Sequence, residues 1–425
     1  MPIPGIRGFK DILPEEAKIW QHMENVARDV FRCFGFKEIR IPILEKTELF
    51  ARSIGEATDI VEKEMYTFAD RSGESLTLRP EATASILRAF IEHGLYAQDK
   101  IQKLYTIGPM FRHERPQKGR YRQFHQINAE AIGLDSPAID AELMTMAMHI
   151  LSALGISGVE LQINSLGCSH CRPQFRRDLQ SFLGTRQAGL CPDCQRRAVS
   201  NPLRVLDCKV ERCRAALEGM PSLSEHLCSD CKTHLHAVEG QLRLFGIPYT
   251  INPLMVRGLD YYTRTTFEIT SPALGAQSAV AAGGRYDGLI KELGGPELSG
   301  MGFAIGMERL SLLIGESQKI REEPILFVAA LGEKACVMAS RIAHRVRLAG
   351  MQAEIDYEGH SLKSQMRRAG KIGASLVLIV GDDELARNSV TMRNMKSSRQ
   401  WAVNFNDDDI EALVRRIGEE MGRVV

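Results

Sequence analysis

The hydrophobic pattern of this 425-residue chain changes character once, and that change divides it. Before it, short segments alternating apolar and polar residues follow one another, several joined by turn-length loops. MYTFAD (65–70) and SLTLRP (75–80) flank a turn at 71–74, and KLYTIGPMFRHE (103–114) and RYRQFHQINAEAIG (120–133) flank a loop holding Pro116 and Gly119. VELQIN (159–164), YTINPLMV (249–256) and TTFEIT (265–270) extend the series. Hairpins in succession predict a mostly antiparallel sheet. A further alternation, Ile39, Ile41 and Ile43, predicts a strand that Pro42 assigns to an edge or to a special interface. Residues 14–34 predict an amphipathic helix opened by Pro14. After the polar break GESQKIREEP (315–324), apolar strands at 325–331, 353–357 and 375–381 alternate with amphipathic helices near 334–349 and 361–372. That is the pattern of a parallel sheet carrying helices. A last helix is expected at 408–421, with Asn406 and Asp407 as candidate caps.

The chain is too long for one ordinary core. The reading is an α+β domain over 1–320, interrupted near 166–235 by a cysteine-rich, partly helical insertion, and a C-terminal α/β domain over 325–425. No apolar run reaches about 18 residues, which predicts no membrane-spanning helix. The first residues carry acids and no apolar h-region, so the expected compartment is the cytoplasm.

Net charge is only +1, which excludes binding nucleic acid by bulk charge. The positive charge is concentrated instead. Residues 111–126, FRHERPQKGRYRQFHQ, hold Arg112, Arg115, Lys118, Arg120 and Arg122 against one acid, Glu114; strand alternation would put Arg112 and Glu114 on one face. RGLDYYTRTTFE (257–268) and GFAIGMERL (302–310) supply Arg257 and Arg309, and the glycines of AGGRYDGL (282–289) allow close backbone approach to a ligand. One arginine alone would pass as a surface ion-pair partner. Several on separate sheet elements suit a polyanion such as a nucleoside triphosphate, because a guanidinium forks onto phosphate. No G-x-x-x-x-G-K-[ST] loop is present, so side chains would have to hold it. Glu81 and Glu130 read either as solvated strand residues or, with Tyr262 and Tyr286, as groups that recognise a ligand with cationic or polar nitrogens.

In this order TLRPEATA, FRHERPQKGRYRQFHQ, RGLDYYTRTTFE, AGGRYDGL and GFAIGMERL resemble the signature segments of the histidyl-tRNA synthetases, a class II aminoacyl-tRNA synthetase family, and the likeness runs over nearly the whole chain. The resemblance implies an antiparallel six- to seven-stranded catalytic sheet flanked by helices, a C-terminal anticodon-binding domain with a mostly parallel sheet, and a homodimer with the Pro42 strand at its interface. It implies ATP, as its Mg2+ complex, L-histidine and tRNA(His) as partners. By matching position, Arg112 would contact the α-phosphate, Arg309 the outer phosphates, and Glu114 and Arg120 the rest of ATP. Arg257 would bridge the α-phosphate and the substrate carboxylate. Glu81 and Thr83 would hold the amino group with Gln126 nearby, Glu130 and Tyr262 the imidazole nitrogens, and Tyr286 would close the pocket. Arg115 and Gln117 would meet the tRNA acceptor end. A non-catalytic synthetase-like subunit that senses histidine is the alternative. It would be expected to lose these arginines and the C-terminal domain.

Eight of ten cysteines fall in the insertion: C-x-x-C at Cys168/Cys171, Cys191/Cys194 and Cys228/Cys231, and a looser pair, Cys208 and Cys213. Two such pairs make a four-thiolate zinc site, so eight residues suffice for two. Spacing does not assign which pairs join: structural zinc stapling an insertion too small and polar to fold alone and a set of reduced thiols, some buried as small hydrophobes, both fit. Cys33 and Cys336 read as core residues.

Overall fold

The protein, a computed structural model, is described over residues 3–55, 58–315, 323–405 and 409–422. It divides into two compact units, Met1–Gln318 and Lys319–Val425.

The first unit is built on an eight-stranded sheet. Its order is Lys37–Glu38, Gln102–Phe111, Gln123–Ile132, Gly300–Gly306, Ala279–Arg285, Thr263–Thr270, Glu160–Ser165 and Thr250–Ile251. The six central strands pair antiparallel, and each two-residue edge strand pairs parallel, so the sheet is mixed rather than purely antiparallel. Two helices cover one face. Pro14–Cys33 begins on a proline with Glu15 and Glu16 in its first turn. Pro137–Ala153 is apolar on nearly every side because it is packed between that helix and the sheet; Ser136 caps it by accepting from the Ala138 N–H.

Three local expectations change. The isoleucine alternation at 39–43 is not a strand: short strands lie on either side, Lys37–Glu38 and Leu44–Lys46. The carbonyls of Ile41 and Pro42 are taken by the Arg79 guanidinium, which donates at 2.7 and 3.1 Å. The hairpin 65–80 forms, with the Asp70 side chain accepting from the N–H groups of Ser72 and Glu74. It belongs, however, to a separate three-stranded sheet with Leu44–Lys46. The basic stretch contributes no more than the ends of its hairpin arms, since the strands stop at Phe111 and resume at Gln123. Between them the chain turns tightly, with the Glu114 N–H donating to the Arg112 carbonyl, so strand alternation does not relate those two residues.

Between strands Glu160–Ser165 and Thr263–Thr270 the chain runs through helices Arg172–Gly184, Pro192–Ser200, Glu211–Ala216, Leu223–His226 and Ser229–Leu244. The helical insertion thus extends past residue 235, and of 249–256 only Thr250–Ile251 is strand. Its last helix is tied to the core of the first unit. His234 donates to Asp140 at 2.7 Å, and Asp140 also takes two donors of the fully buried Arg285, at 2.6 and 3.1 Å.

The second unit has strand order Gln352–Ile355, Ile325–Leu331, Leu376–Gly381, Ser389–Asn394 and Gln400–Asn404, with helices Glu333–Leu348 and Leu362–Lys371. The first three strands are parallel as expected, and the last two add antiparallel. The intervening helix, Asp382–Ala386, is too short for a parallel crossover, which takes a dozen or more residues. The last helix is Ile410–Glu420, and Asp409 caps it by accepting from the Ala412 N–H. The expected caps Asn406 and Asp407 lie outside the described residues. Among the described residues no helix is long and apolar enough to cross a membrane.

Candidate active site

Register across the sheet creates the floor of the site. Glu130 pairs with Gly302, and Gly302 with Gly284. A Cβ at Gly302 would stand 1.8 Å from a Glu130 carboxylate oxygen, and one at Gly284 would stand 2.7 Å from the Tyr262 ring. Gly284 and Gly302 therefore make room for the pocket's own side chains, whereas Gly288 and Gly306 border open space.

Two carboxylates line this pocket, and neither is solvated: Glu81 is 4% exposed and Glu130 1%. Glu81 precedes helix Thr83–Glu92 and accepts from the Ala84 N–H at 2.9 Å and from the Tyr261 hydroxyl at 2.9 Å. Glu130 accepts from the Thr83 hydroxyl at 2.6 Å and the Tyr286 hydroxyl at 2.7 Å. Burial raises both carboxyls above their ordinary range, Glu130 to about 8. Tyr261 and Tyr262 pack ring against ring at 4.7 Å, and Tyr262 is buried. The Gln126 side-chain oxygen, on the strand with Glu130, is buried and has no hydrogen-bond partner among the described residues.

Cations converge beside the acids. Arg112 is anchored by its Nε donating to the Pro80 carbonyl at 2.9 Å, with its guanidinium over the Phe124 ring. Arg257 pairs with Glu268 at 3.1 Å, and its buried Nε has no partner among the described residues. Arg309, in helix Met307–Ile314, donates to the Ala279 carbonyl at 2.7 Å. Burial first, then repulsion from Arg120, Arg112 and Arg257, pushes the Arg309 guanidinium below its ordinary value, against the pull of Glu268. Burial and Arg257 act likewise on Arg112, which Glu64 and Glu81 oppose. The three arginines from distant segments thus feel one another's charge across one site. Arg120, also depressed by burial, pairs with Glu114. Arg115 and Gln117 lie exposed on the loop.

Sequence reasoning missed Tyr261, though it adjoins Tyr262 in RGLDYY and is the residue that holds Glu81. It also missed Glu268, whose only signal was an acid in the arginine-bearing segment. Arg285, within a segment singled out for glycine, is an internal tether and not a ligand group.

A family model described as histidyl-tRNA synthetase matches residues 8–171 and 176–310. The chain belongs to that family. A second model, described as an anticodon binding domain, matches residues 326–415. The histidine–tRNA ligase of Syntrophotalea carbinolica is 57% identical over 403 residues, 95% of this chain and 96% of that protein. The one from Trichlorobacter lovleyi is 54% identical over 419 residues, 99% of this chain and 100% of that protein. The apo structure of the Staphylococcus aureus histidyl-tRNA synthetase superposes with a TM-score of 0.82 at 36% identity, covering 98% of this chain and 99% of that one. The family has a class II α+β fold with an anticodon-binding domain, and it uses ATP with Mg2+.

The insertion's cysteines gather into two sets of four: Cys168, Cys171, Cys228 and Cys231, and Cys191, Cys194, Cys208 and Cys213. All ten cysteines are free thiols. Cys33 is exposed, so the expectation that it is a core residue fails, whereas Cys336 is partly buried and packs against the core of the second unit.

Proposed function

We propose that this chain joins L-histidine to tRNA(His) in two steps driven by ATP. The observation that carries the reading is the juxtaposition of crowded, largely buried arginines with a sealed pocket of two carboxylates and three tyrosines. Like charges held together in a low-dielectric site favour an anion that relieves them. In the first step a carboxylate oxygen of histidine attacks the α-phosphorus, the P–O bond to the β-phosphate breaks, and pyrophosphate leaves with its electron pair. The nucleotide enters as its magnesium complex. Arg112 and Arg257 meet the charge that builds on the α-phosphate, Arg309 the outer phosphates, and Arg120, fixed by Glu114, the remainder of the nucleotide. Glu81 and Thr83 receive the ammonium group, with Gln126 beside them. Glu130 and Tyr262 receive the imidazole nitrogens, while Tyr286 fixes Glu130. In the second step a terminal ribose hydroxyl of the tRNA attacks the adenylate carbonyl and AMP leaves. The exposed Arg115 and Gln117 meet the acceptor end, where phosphate contacts position and base contacts specify.

A pocket that pairs both imidazole nitrogens rejects side chains lacking them, because its own polar groups would be left buried and unpaired. Exchange of pyrophosphate into ATP, run with each of the twenty amino acids, tests this. Histidine alone should support exchange. Exchange with another amino acid, or none with histidine, would overturn the reading, and no exchange is also what a histidine-sensing regulator would give. No feature of the site favours that regulator. The proposal includes a second copy of the chain against segment 39–43, where Ile43, beside the exposed Leu44 of the next strand, remains exposed, and light scattering reading a monomer would remove it.

A further inference from the structure

The two cysteine sets are spaced for a metal, and each sits beside a residue that grips the loop carrying Arg257, Tyr261 and Tyr262. In the first set the Sγ atoms of Cys168 and Cys171 are 3.7 Å apart, those of Cys168 and Cys228 3.8 Å, and those of Cys171 and Cys231 3.8 Å. A disulfide would bring sulfurs to about 2.05 Å. Four thiolates about 2.3 Å from a tetrahedral zinc stand roughly 3.8 Å apart along each edge. In the second set all four sulfurs lie within 4.8 Å of one another.

The backbone is also arranged for thiolates. Cys171, Cys191 and Cys228 each occupy the cap position of a following helix, of 13, 9 and 16 residues, where the helix dipole favours negative charge. Backbone N–H groups point at sulfur in both sets: Cys168 to the Cys171 Sγ at 3.1 Å, and Cys191 to the Cys213 Sγ at 3.1 Å. An all-sulfur tetrahedron selects zinc or iron among common metals.

From the first set, Arg172 follows Cys171 directly; its Nε donates to the Leu166 carbonyl at 3.1 Å and its Nη2 to the Tyr262 carbonyl. From the second, the stretch between Cys194 and Cys208 supplies two holds. Asn201 donates to both Asp260 carboxylate oxygens at 3.0 Å, and Arg204 donates to the Arg257 carbonyl at 3.0 Å. One set therefore braces each end of the 257–262 loop.

We propose that each set binds one Zn2+, and that the two metals are positioning elements that hold the 257–262 loop against the pocket. No metal touches substrate. Each fixes the turn from which an arginine reaches a loop carbonyl. The positioning half rests on the histidine reading above; the metal half does not.

The test begins with metal analysis of the purified full-length protein, which should find two zinc ions per chain and no iron. Cobalt substitution should give the visible absorption of a tetrahedral cobalt–thiolate centre. Cys228→Ser with Cys231→Ser should lose one zinc, and Cys208→Ser with Cys213→Ser the other. Arg172→Ala and Arg204→Ala should keep both zinc ions and stay folded, so they test the loop even if the cysteine variants do not fold. Each arginine variant should raise the KM for histidine in pyrophosphate exchange about 10- to 100-fold, with a smaller change in kcat. Zinc well under one per chain, or iron in its place, overturns the metal assignment. Arginine variants with an unchanged KM for histidine overturn the positioning role. A wild-type protein that holds two zinc ions but shows no histidine-dependent exchange would sink the proposed function and leave the metal sites standing.

Discussion

Glu130 shows how much a single buried group can decide. Its carboxyl is raised from 4.5 to about 8, chiefly by burial, so the folded protein holds that proton where the unfolded chain has released it. A proton bound more tightly in the folded state means that stability falls with rising pH between those values. The Glu130 contribution is whole below about pH 4.5 and is lost as pH rises through about 8. Glu130→Gln keeps the shape and an acceptor without the titration. Relative to this variant, the wild-type melting temperature should drop between pH 5 and pH 9, and parallel curves would contradict the assignment. Arg257 carries the second prediction at this scale. Its buried Nε has no partner among the described residues, and its charge adds to the repulsion on Arg309. Arg257→Ala should slow histidine-dependent exchange by about 100- to 1,000-fold, as loss of a transition-state donor does, with histidine binding by calorimetry weakened far less. Near-normal exchange would take Arg257 off the catalytic set. Both residues were legible in the sequence as chemistry-bearing. That Glu130 is buried, and so holds its proton, was not, because burial depends on which residues fold over it.

Elements were most legible where their pattern is repetitive. The helix expected at 14–34 is found at Pro14–Cys33, and the strand expected at 325–331 at Ile325–Leu331. Failures cluster where a distant partner overrides the local pattern, as Arg79 does at Ile41 and Pro42. Gly302 marks a strand position that tolerates no side chain. Gly302→Ala should displace Glu130, lower stability by about 1–3 kcal/mol and cut the exchange rate at low histidine far more than at saturation; a silent variant would show that the strand pair yields freely. Asp140 ties helix Pro137–Ala153 to Arg285 of the sheet and to His234 of the insertion. Its removal leaves Arg285 charged, buried and missing its principal partner. Asp140→Ala should cost about 3–5 kcal/mol in urea unfolding, and a loss under 1 kcal/mol would show the network to be dispensable.

At the scale of the whole molecule, the two units carry separate cores, one set of buried residues running from Trp20 to Ile314 and another from Leu326 to Met421. Deleting residues 325–425 should therefore depress tRNA charging more than adenylate formation, compared by charging assay and by exchange. Equal losses in both would mean that the deletion unfolds the protein or breaks an assembly. The sequence by itself determined the division of the chain, the identity of the chemical groups and the family, because periodicity and short signature segments are local properties. It left the cysteine pairing open, and the fold resolves it: Cys168/Cys171 meet Cys228/Cys231 across 60 residues, and Cys191/Cys194 meet Cys208/Cys213. The tertiary structure alone brought Arg112, Arg257 and Arg309 within reach of one another's charge and placed glycines opposite Glu130 and Tyr262. Such proximity is set by strand order and register, and no window of sequence contains either.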